Sequence, residues 1–198
     1  MDKGGQKNGV NFPSTTITWP VDIALALNYV RGEDRNDFTA LLRFDRTLAT
    51  TVSGARDPAL AQLRLAWWRT QLDAPVAGSD GYEAVVMFGA KLMPLIDGWE
   101  RLLSPLPLDE AVLQDYANGR GATIFALLGG HAATGAGWAL ADFARHCTDT
   151  ETRSRARRMA DTALSLRLSG QPKPLRVMAR LARAEAITRW TLVRAALG

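Results

Sequence analysis

The stretch Ala61-Gln62-Leu63-Arg64-Leu65-Ala66-Trp67-Trp68-Arg69-Thr70-Gln71-Leu72-Asp73 sets two of the chain's six tryptophans side by side. Its spacing predicts a helix. Leu60, Leu63 and Trp67 fall on one face, and Leu65, Trp68 and Leu72 on a second, rotated from the first. A helix apolar on two faces is expected at the centre of a bundle, with both indoles mostly buried. Burial of each indole is worth about 2–3 kcal/mol before entropy. Arg69 and Asp73 are four apart and placed to pair along the remaining seam. Just upstream, Asp57-Pro58 reads as the helix start, an acidic cap followed by proline at the first helical position.

The flanking sequence carries the same period. Ile23, Leu27 and Val30 mark a short helix, and Asp34 is a candidate cap for the next, with Phe38, Leu41, Leu42, Asp45 and Leu48 on its face. Residues 74–80 read as a loop. Val85, Phe88, Leu92, Leu95, Trp99 and Leu102 form a packing stripe, which Pro94 kinks or breaks. Leu113, Tyr116, Ile124, Leu127 and Leu128 form another face. Gly119 and Gly121 within it let a neighbouring backbone or a ligand approach closely. A short helix follows over 138–147. Asp149 is placed to cap an arginine-rich helix, and Pro172 and Pro174 precede a last helix expected to reach the C-terminus.

No segment alternates apolar and polar residues as a strand does. The fold expected is all-α, a single-domain helical bundle over residues 21–198 with about eight to nine helices, after a flexible tail over 1–20.

Composition narrows the function classes. At 198 residues, 47% of them hydrophobic, the chain suits one domain. A lone cysteine, Cys147, excludes an intrachain disulfide framework. No apolar run reaches the roughly 18–20 residues of a membrane span. The first residues lack a basic-then-apolar leader pattern, so a cytoplasmic location is expected, compatible with contact at a membrane periphery. The net charge of +4, mostly arginine, permits an anionic partner. Nucleic acid is not expected, since no zinc finger, helix-turn-helix or RNA-binding aromatic motif is present.

Chemistry-bearing motifs are scarce. His131, His146 and Cys147 are too few for a zinc cluster. There is no nucleophile elbow, P-loop or dinucleotide fingerprint. Glu33 and Asp37 are the one acid pair at i and i+4, and they read as a solvated helix start. No catalytic residue and no metal ligand is assigned.

Arg64-Leu65-Ala66-Trp67-Trp68-Arg69 resembles the tryptophan–arginine segment of the squalene/phytoene synthase family. Phe44-Asp45-Arg46 resembles the start of that family's first aspartate helix. Tyr116 to Ala122 resembles its tyrosine-bearing cavity segment, and residues 137–147 its second aspartate helix. Ala156-Arg157 and Pro174-Leu175-Arg176 resemble later landmarks, so the likeness covers roughly 22–190. The resemblance implies an isoprenoid synthase fold and a ligand cavity to which Phe44, Arg64, Trp67, Trp68, Arg69, Tyr116 and Arg120 are candidates. Where it calls for metal-binding acids, the chain carries Ala49, Thr50 and Ser53, and later Thr148 and Thr152 beside Asp149 and Glu151.

The resemblance is therefore to a short, degenerate branch. The family has such branches, one similar to a mitochondrial assembly factor for respiratory complex I. The expected function is non-catalytic: binding of an isoprenoid or lipid-like ligand, or of a protein partner, with no cofactor. The alternative is an active head-to-head prenyltransferase with atypical ligands for Mg²⁺. Arg153, Arg155, Arg157 and Arg158 cluster on one helix. On the last helix Arg176, Arg180, Arg183 and Arg194 project within about 40° of one direction. Leu175, Met178, Leu181, Ala182, Val193 and Leu197 face the other way, and this stripe is expected to give weak, salt-sensitive contact with an anionic membrane surface.

Overall fold

The computed structural model describes residues 18–165, 169–184, 188, 191, 192, 194 and 195. Among these, no strand occurs. The elements are α1 (Val21–Leu27), α2 (Arg35–Ser53), α3 (Pro58–Asp73), α4 (Tyr82–Phe88), α5 (Met93–Arg101), α6 (Glu110–Ala117), α7 (Thr123–Leu127), α8 (Ala132–His146), α9 (Thr150–Leu164) and α10 (Lys173–Ala182). A 3-10 turn, Gly89–Leu92, joins α4 to α5, and a π turn, Asn118–Ala122, joins α6 to α7. Taken across these two turns, the ten α-helices form eight helical segments among the described residues. Residues 1–17 of the expected tail, and Val193 and Leu197 of the expected stripe, lie outside the described residues.

Helix boundaries follow local chemistry. Asp57 accepts a hydrogen bond from the Ala59 amide at 2.9 Å, with Pro58 leading α3. Asp149 accepts from Thr152 at 2.8 Å and starts α9, and Asp109 does the same for α6 through Val112 at 2.8 Å. Asp34 holds the N-cap position of α2, but its side chain makes no capping bond. Pro94 sits in the first turn of α5, where its missing N–H costs nothing, so the stripe over 85–102 breaks ahead of it.

The tryptophan helix differs from its sequence reading. α3 covers one face only: Ala61, Leu65, Trp68 and Leu72 are buried, whereas Leu60, Leu63 and Trp67 are 52%, 67% and 43% exposed. α3 is therefore peripheral, and Trp67 is not a core residue. Trp68 packs edge-on against Phe44, with ring centroids 5.0 Å apart at 86°. Arg69 reaches across to α5 instead of along its own helix, bonding Asp97 and Glu100 at 2.6 Å each. Two acids on the neighbouring helix outcompete Asp73. They hold the guanidinium's pKa up against the opposing effect of burial.

The end of the chain differs too. α10 stops at Ala182, so Arg194 does not share a helix with Arg176, Arg180 and Arg183. α10 is buried along Leu175, Val177, Met178, Ala179 and Leu181, packed on α1 and α8. Arg180 on α10 and Arg183 at its C-cap serve carbonyl groups, Arg180 donating to Ala195 and Arg183 to Leu164. From α9, Arg157 caps the end of α10 by donating to Ala182 and Arg183, at 3.3 and 2.7 Å.

Glycine contacts hold the centre. A Cβ on Gly119 would lie 2.5 Å from the Cα of Gly98 on α5. One on Gly121 would overlap the carbonyl of Gly135 on α8. The π turn is thus threaded between α5 and α8 with backbone against backbone on both sides, a distance no side chain permits.

Two stability tests follow. Trp68→Ala should cost about 3–5 kcal/mol and Trp67→Ala about 1 kcal/mol or less, measured by urea denaturation. Gly121→Ala should destabilise by about 1–3 kcal/mol or more through overpacking, although alanine is the better helix former. Unchanged urea midpoints would show that α8 and the π turn can separate freely.

Candidate functional site

One residue of the π turn, Arg120, is 6% exposed and surrounded by partners from four other elements. Its Nε donates to Asp45 Oδ1 on α2 at 3.1 Å, and its Nη2 to Asp45 Oδ2 at 3.0 Å. Its Nη1 donates to the Tyr116 hydroxyl on α6 and to Asp142 Oδ2 on α8, each at 2.7 Å. The guanidinium carbon lies 4.7 Å from the ring centroids of both Trp99 and Trp138, an indole from α5 and one from α8. Such cation–π contacts gain strength where water is excluded. The Trp99 indole N–H donates to Asp45 Oδ1 at 2.7 Å, fixing the carboxylate from its other side.

The ionic contacts continue outward from Asp142. Arg145 Nη1, one turn further along α8, lies 4.0 Å from Asp142 Oδ1 and 3.6 Å from Asp22 Oδ2 on α1. The result is a ladder of alternating charge, Asp22–Arg145–Asp142–Arg120–Asp45, joining α1, α8, the π turn and α2. At Arg120 and Asp142 burial works against the charged form, but the attraction of the opposite charges beside them prevails. Arg120 stays well above its ordinary pKa, and Asp142 falls below the usual carboxylate range with Arg120 beside it. Burial pushes the Tyr116 phenol up, so it stays protonated.

Four of the five ladder residues, Asp22, Asp142, Arg120 and Asp45, line a cavity of about 450 Å³, and Arg145 pairs two of them without lining it. The rest of the lining is mostly apolar, including Ile23, Leu42, Val52, Leu102, Trp138 and Phe143. The volume lies in the range typical of small-molecule sites, roughly 300–1,000 Å³. Exposed Arg46 and His146 border it, as does the partly buried Trp19.

Of the sequence candidates, Tyr116 and Arg120 line this cavity, and Phe44, Arg64, Trp67, Trp68 and Arg69 do not. Phe44 points into the core against Trp68, Arg64 is exposed on α3, and Arg69 is committed to α5. Ala49 and Ser53 sit on the cavity wall, while Thr50 is exposed and donates to the Arg46 carbonyl at 2.8 Å. Thr148 is exposed, and Thr152 is buried against the Leu108 amide at 3.0 Å. Glu33 and Asp37 are exposed and outside this cavity. Among the described residues, no group of three or more His, Cys, Asp or Glu is arranged to hold a metal ion. The three acids on the cavity wall do not fit a Mg²⁺ cage, because each already faces an arginine that would repel the ion.

Asp22, Asp142, Trp99 and Trp138 are site residues that the sequence reading left unassigned. A signal for them exists. Asp45 interrupts the apolar face of Phe38, Leu41, Leu42 and Leu48, and Asp142 interrupts the apolar run from Trp138 to Phe143. An acid in such a place requires a cation, and Arg120 between two glycines is an arginine in an equally confined place.

An all-helical domain enclosing an apolar cavity among α1, α2, α5, α6 and α8 is an architecture of the isoprenoid synthase type. The family model for squalene/phytoene synthase matches residues 21–146, well over half of the chain, and the protein belongs to that family. The match ends with α8, the last helix to contribute to the ladder. Comparison with curated proteins and with solved structures gave no match.

Removing one member of the ladder exposes the others. Arg120→Met should cost about 3–5 kcal/mol, since Asp45 and Asp142 lose their shared cation while staying enclosed. Asp142 has a depressed folded pKa, so its stabilising effect is present above its unfolded value of about 4 and is lost as pH falls through the folded value. Asp142→Asn should therefore lower stability at pH 7 and flatten the decline below about pH 4, read from urea midpoints between pH 7 and 3. Parallel pH curves for parent and variant would contradict this.

Proposed function

We propose that this squalene/phytoene synthase family member is a binding protein and not a prenyl-coupling enzyme, and that it holds an apolar, isoprenoid- or lipid-like ligand in the cavity beside Arg120. The observation that carries this reading is the engagement of all three cavity carboxylates with Arg120 and Arg145. Ionising an allylic diphosphate requires a hard cation gripped by anionic oxygens. Here those oxygens neutralise arginines. Ala49 and Ser53, on the same wall, supply no charge. Most of the remaining lining is hydrocarbon and aromatic ring, which suits a chain more than a polar metabolite.

Two measurements test the reading. Incubation with fifteen- and twenty-carbon prenyl diphosphates and Mg²⁺ or Mn²⁺ should give no thirty- or forty-carbon hydrocarbon. A metal-dependent product, lost in Asp45→Ala or Asp142→Ala, would restore the enzyme reading. Ligand binding should be visible as a saturable change in tryptophan emission on titration with a fifteen-carbon chain, since Trp19, Trp99 and Trp138 all border the cavity.

A further inference from the structure

We infer that the ligand of this cavity is an uncharged single-chain lipid, and that the Asp22–Arg145–Asp142–Arg120–Asp45 ladder selects against chains ending in phosphate or diphosphate. The inference rests on the binding reading above and adds the headgroup chemistry.

It follows from counting donors and charges on the wall. Arg120 spends Nε and Nη2 on Asp45, and Nη1 on Tyr116 and Asp142. Arg145 spends Nη1 on the ion pairs to Asp22 and Asp142, and Nη2 on the Leu181 carbonyl at 3.2 Å. On the wall three carboxylates face one enclosed guanidinium, Arg120, while Arg145 pairs Asp22 and Asp142 without lining the cavity, so the enclosed wall carries no surplus positive charge. A diphosphate drawn in beside them would meet Asp22, Asp45 and Asp142 with both cations already committed. An anion leaving water needs surplus charge or several accessible donors in return. The partnerless donors here, the Trp138 indole N–H and Arg145 Nε, are both shut off from water, and the indole carries no charge. An uncharged chain does not face that penalty and gains the apolar contact with Ile23, Leu42, Val52, Leu102 and Phe143.

The other charged groups bordering the cavity are Arg46 and His146, both exposed. Arg46 donates to the Thr18 carbonyl at 2.6 Å. The His146 ring approaches the Asp142 carbonyl at 2.9 Å and its carboxylate at 3.8 Å. Water screens both, so neither reverses the preference set by the enclosed wall.

The experiment compares farnesol with farnesyl diphosphate by tryptophan fluorescence on the full chain, with Mg²⁺ and with EDTA. Farnesol should bind at least tenfold more tightly than the diphosphate, and Mg²⁺ should not close the gap. Asp142→Asn releases part of Arg120's charge and should raise the ratio of diphosphate to alcohol affinity at least fivefold. If that variant does not fold, as judged by its circular dichroism, Asp22→Asn at the other end of the ladder should move the ratio the same way through Arg145. Equal or tighter binding of the diphosphate by the parent would overturn the inference and leave the binding reading standing. An unchanged ratio in both variants would also overturn it. Binding of neither compound would remove the binding reading itself, and the inference with it.

Discussion

The enclosure of Arg120 is the constraint on which the rest of the cavity depends. A guanidinium that leaves water must recover its solvation from the protein, and one carboxylate does not suffice. Here two acids, a phenol and two indole faces divide the work. Those groups arrive on α2, α5, α6 and α8, so the arginine fixes the mutual position of four helices at one point. The π turn makes this possible. It interrupts the helical register between α6 and α7 where Arg120 must face inward, and such turns recur where local irregularity serves a site. The flanking glycines follow from the same demand. With α5 and α8 both drawn to Arg120, the backbone around it is squeezed between Gly98 and Gly135, and only glycine fits at 119 and 121.

The same acids cannot be counter-ions to arginine and ligands to magnesium at once. Asp45 gives both oxygens to Arg120 and accepts the Trp99 N–H as well. Asp142 is shared between Arg120 and Arg145. A divalent ion placed among them would sit against two fixed positive charges at short range in a low-dielectric wall, where such repulsion is least screened. The departures from the family's acid pattern at Ala49, Thr50 and Ser53 and the presence of the ladder therefore point the same way. One removes anionic ligands, and the other occupies those that remain.

Much of this fold is legible in the sequence, for reasons that can be located. The 3–4 spacing, the Asp57-Pro58 and Asp149 caps and the break ahead of Pro94 are local signals, and the helices obey them. Gly119 and Gly121 announced a close approach, and the backbones of α5 and α8 supply it. What sequence alone misplaced was the tryptophan helix. Apolar residues on two faces of α3 predict two buried faces only if a neighbour exists for each, and spacing carries no information about neighbours. Leu65 and Trp68 found them, while Leu60, Leu63 and Trp67 did not. The pairing of Arg69 was lost the same way, because a local acid at 73 was visible and the nonlocal acids at 97 and 100 were not. At the cavity, Tyr116 and Arg120 lay within the segment that carried the family likeness. Asp142 did not stand out, because an acid on a helix ordinarily means a solvated surface.

A buried ionic network is an expensive way to hold helices together, since apolar residues of similar volume often do as well or better. This chain could have closed the space with apolar side chains, as it does at Leu92, Leu95 and Ile96, a turn or two before Trp99 in the sequence. Instead charges are concentrated on the wall of the space that remains open beside Trp99, Tyr116 and Trp138. A network in that position has an effect that leucines would not have. It presents a polar face with fixed geometry and no surplus positive charge to whatever enters, while leaving the volume unfilled. The stability that apolar packing would have supplied is forgone on the wall of the cavity proposed to hold the ligand, while close glycine-to-glycine contacts tie the π turn that carries Arg120 to α5 and α8.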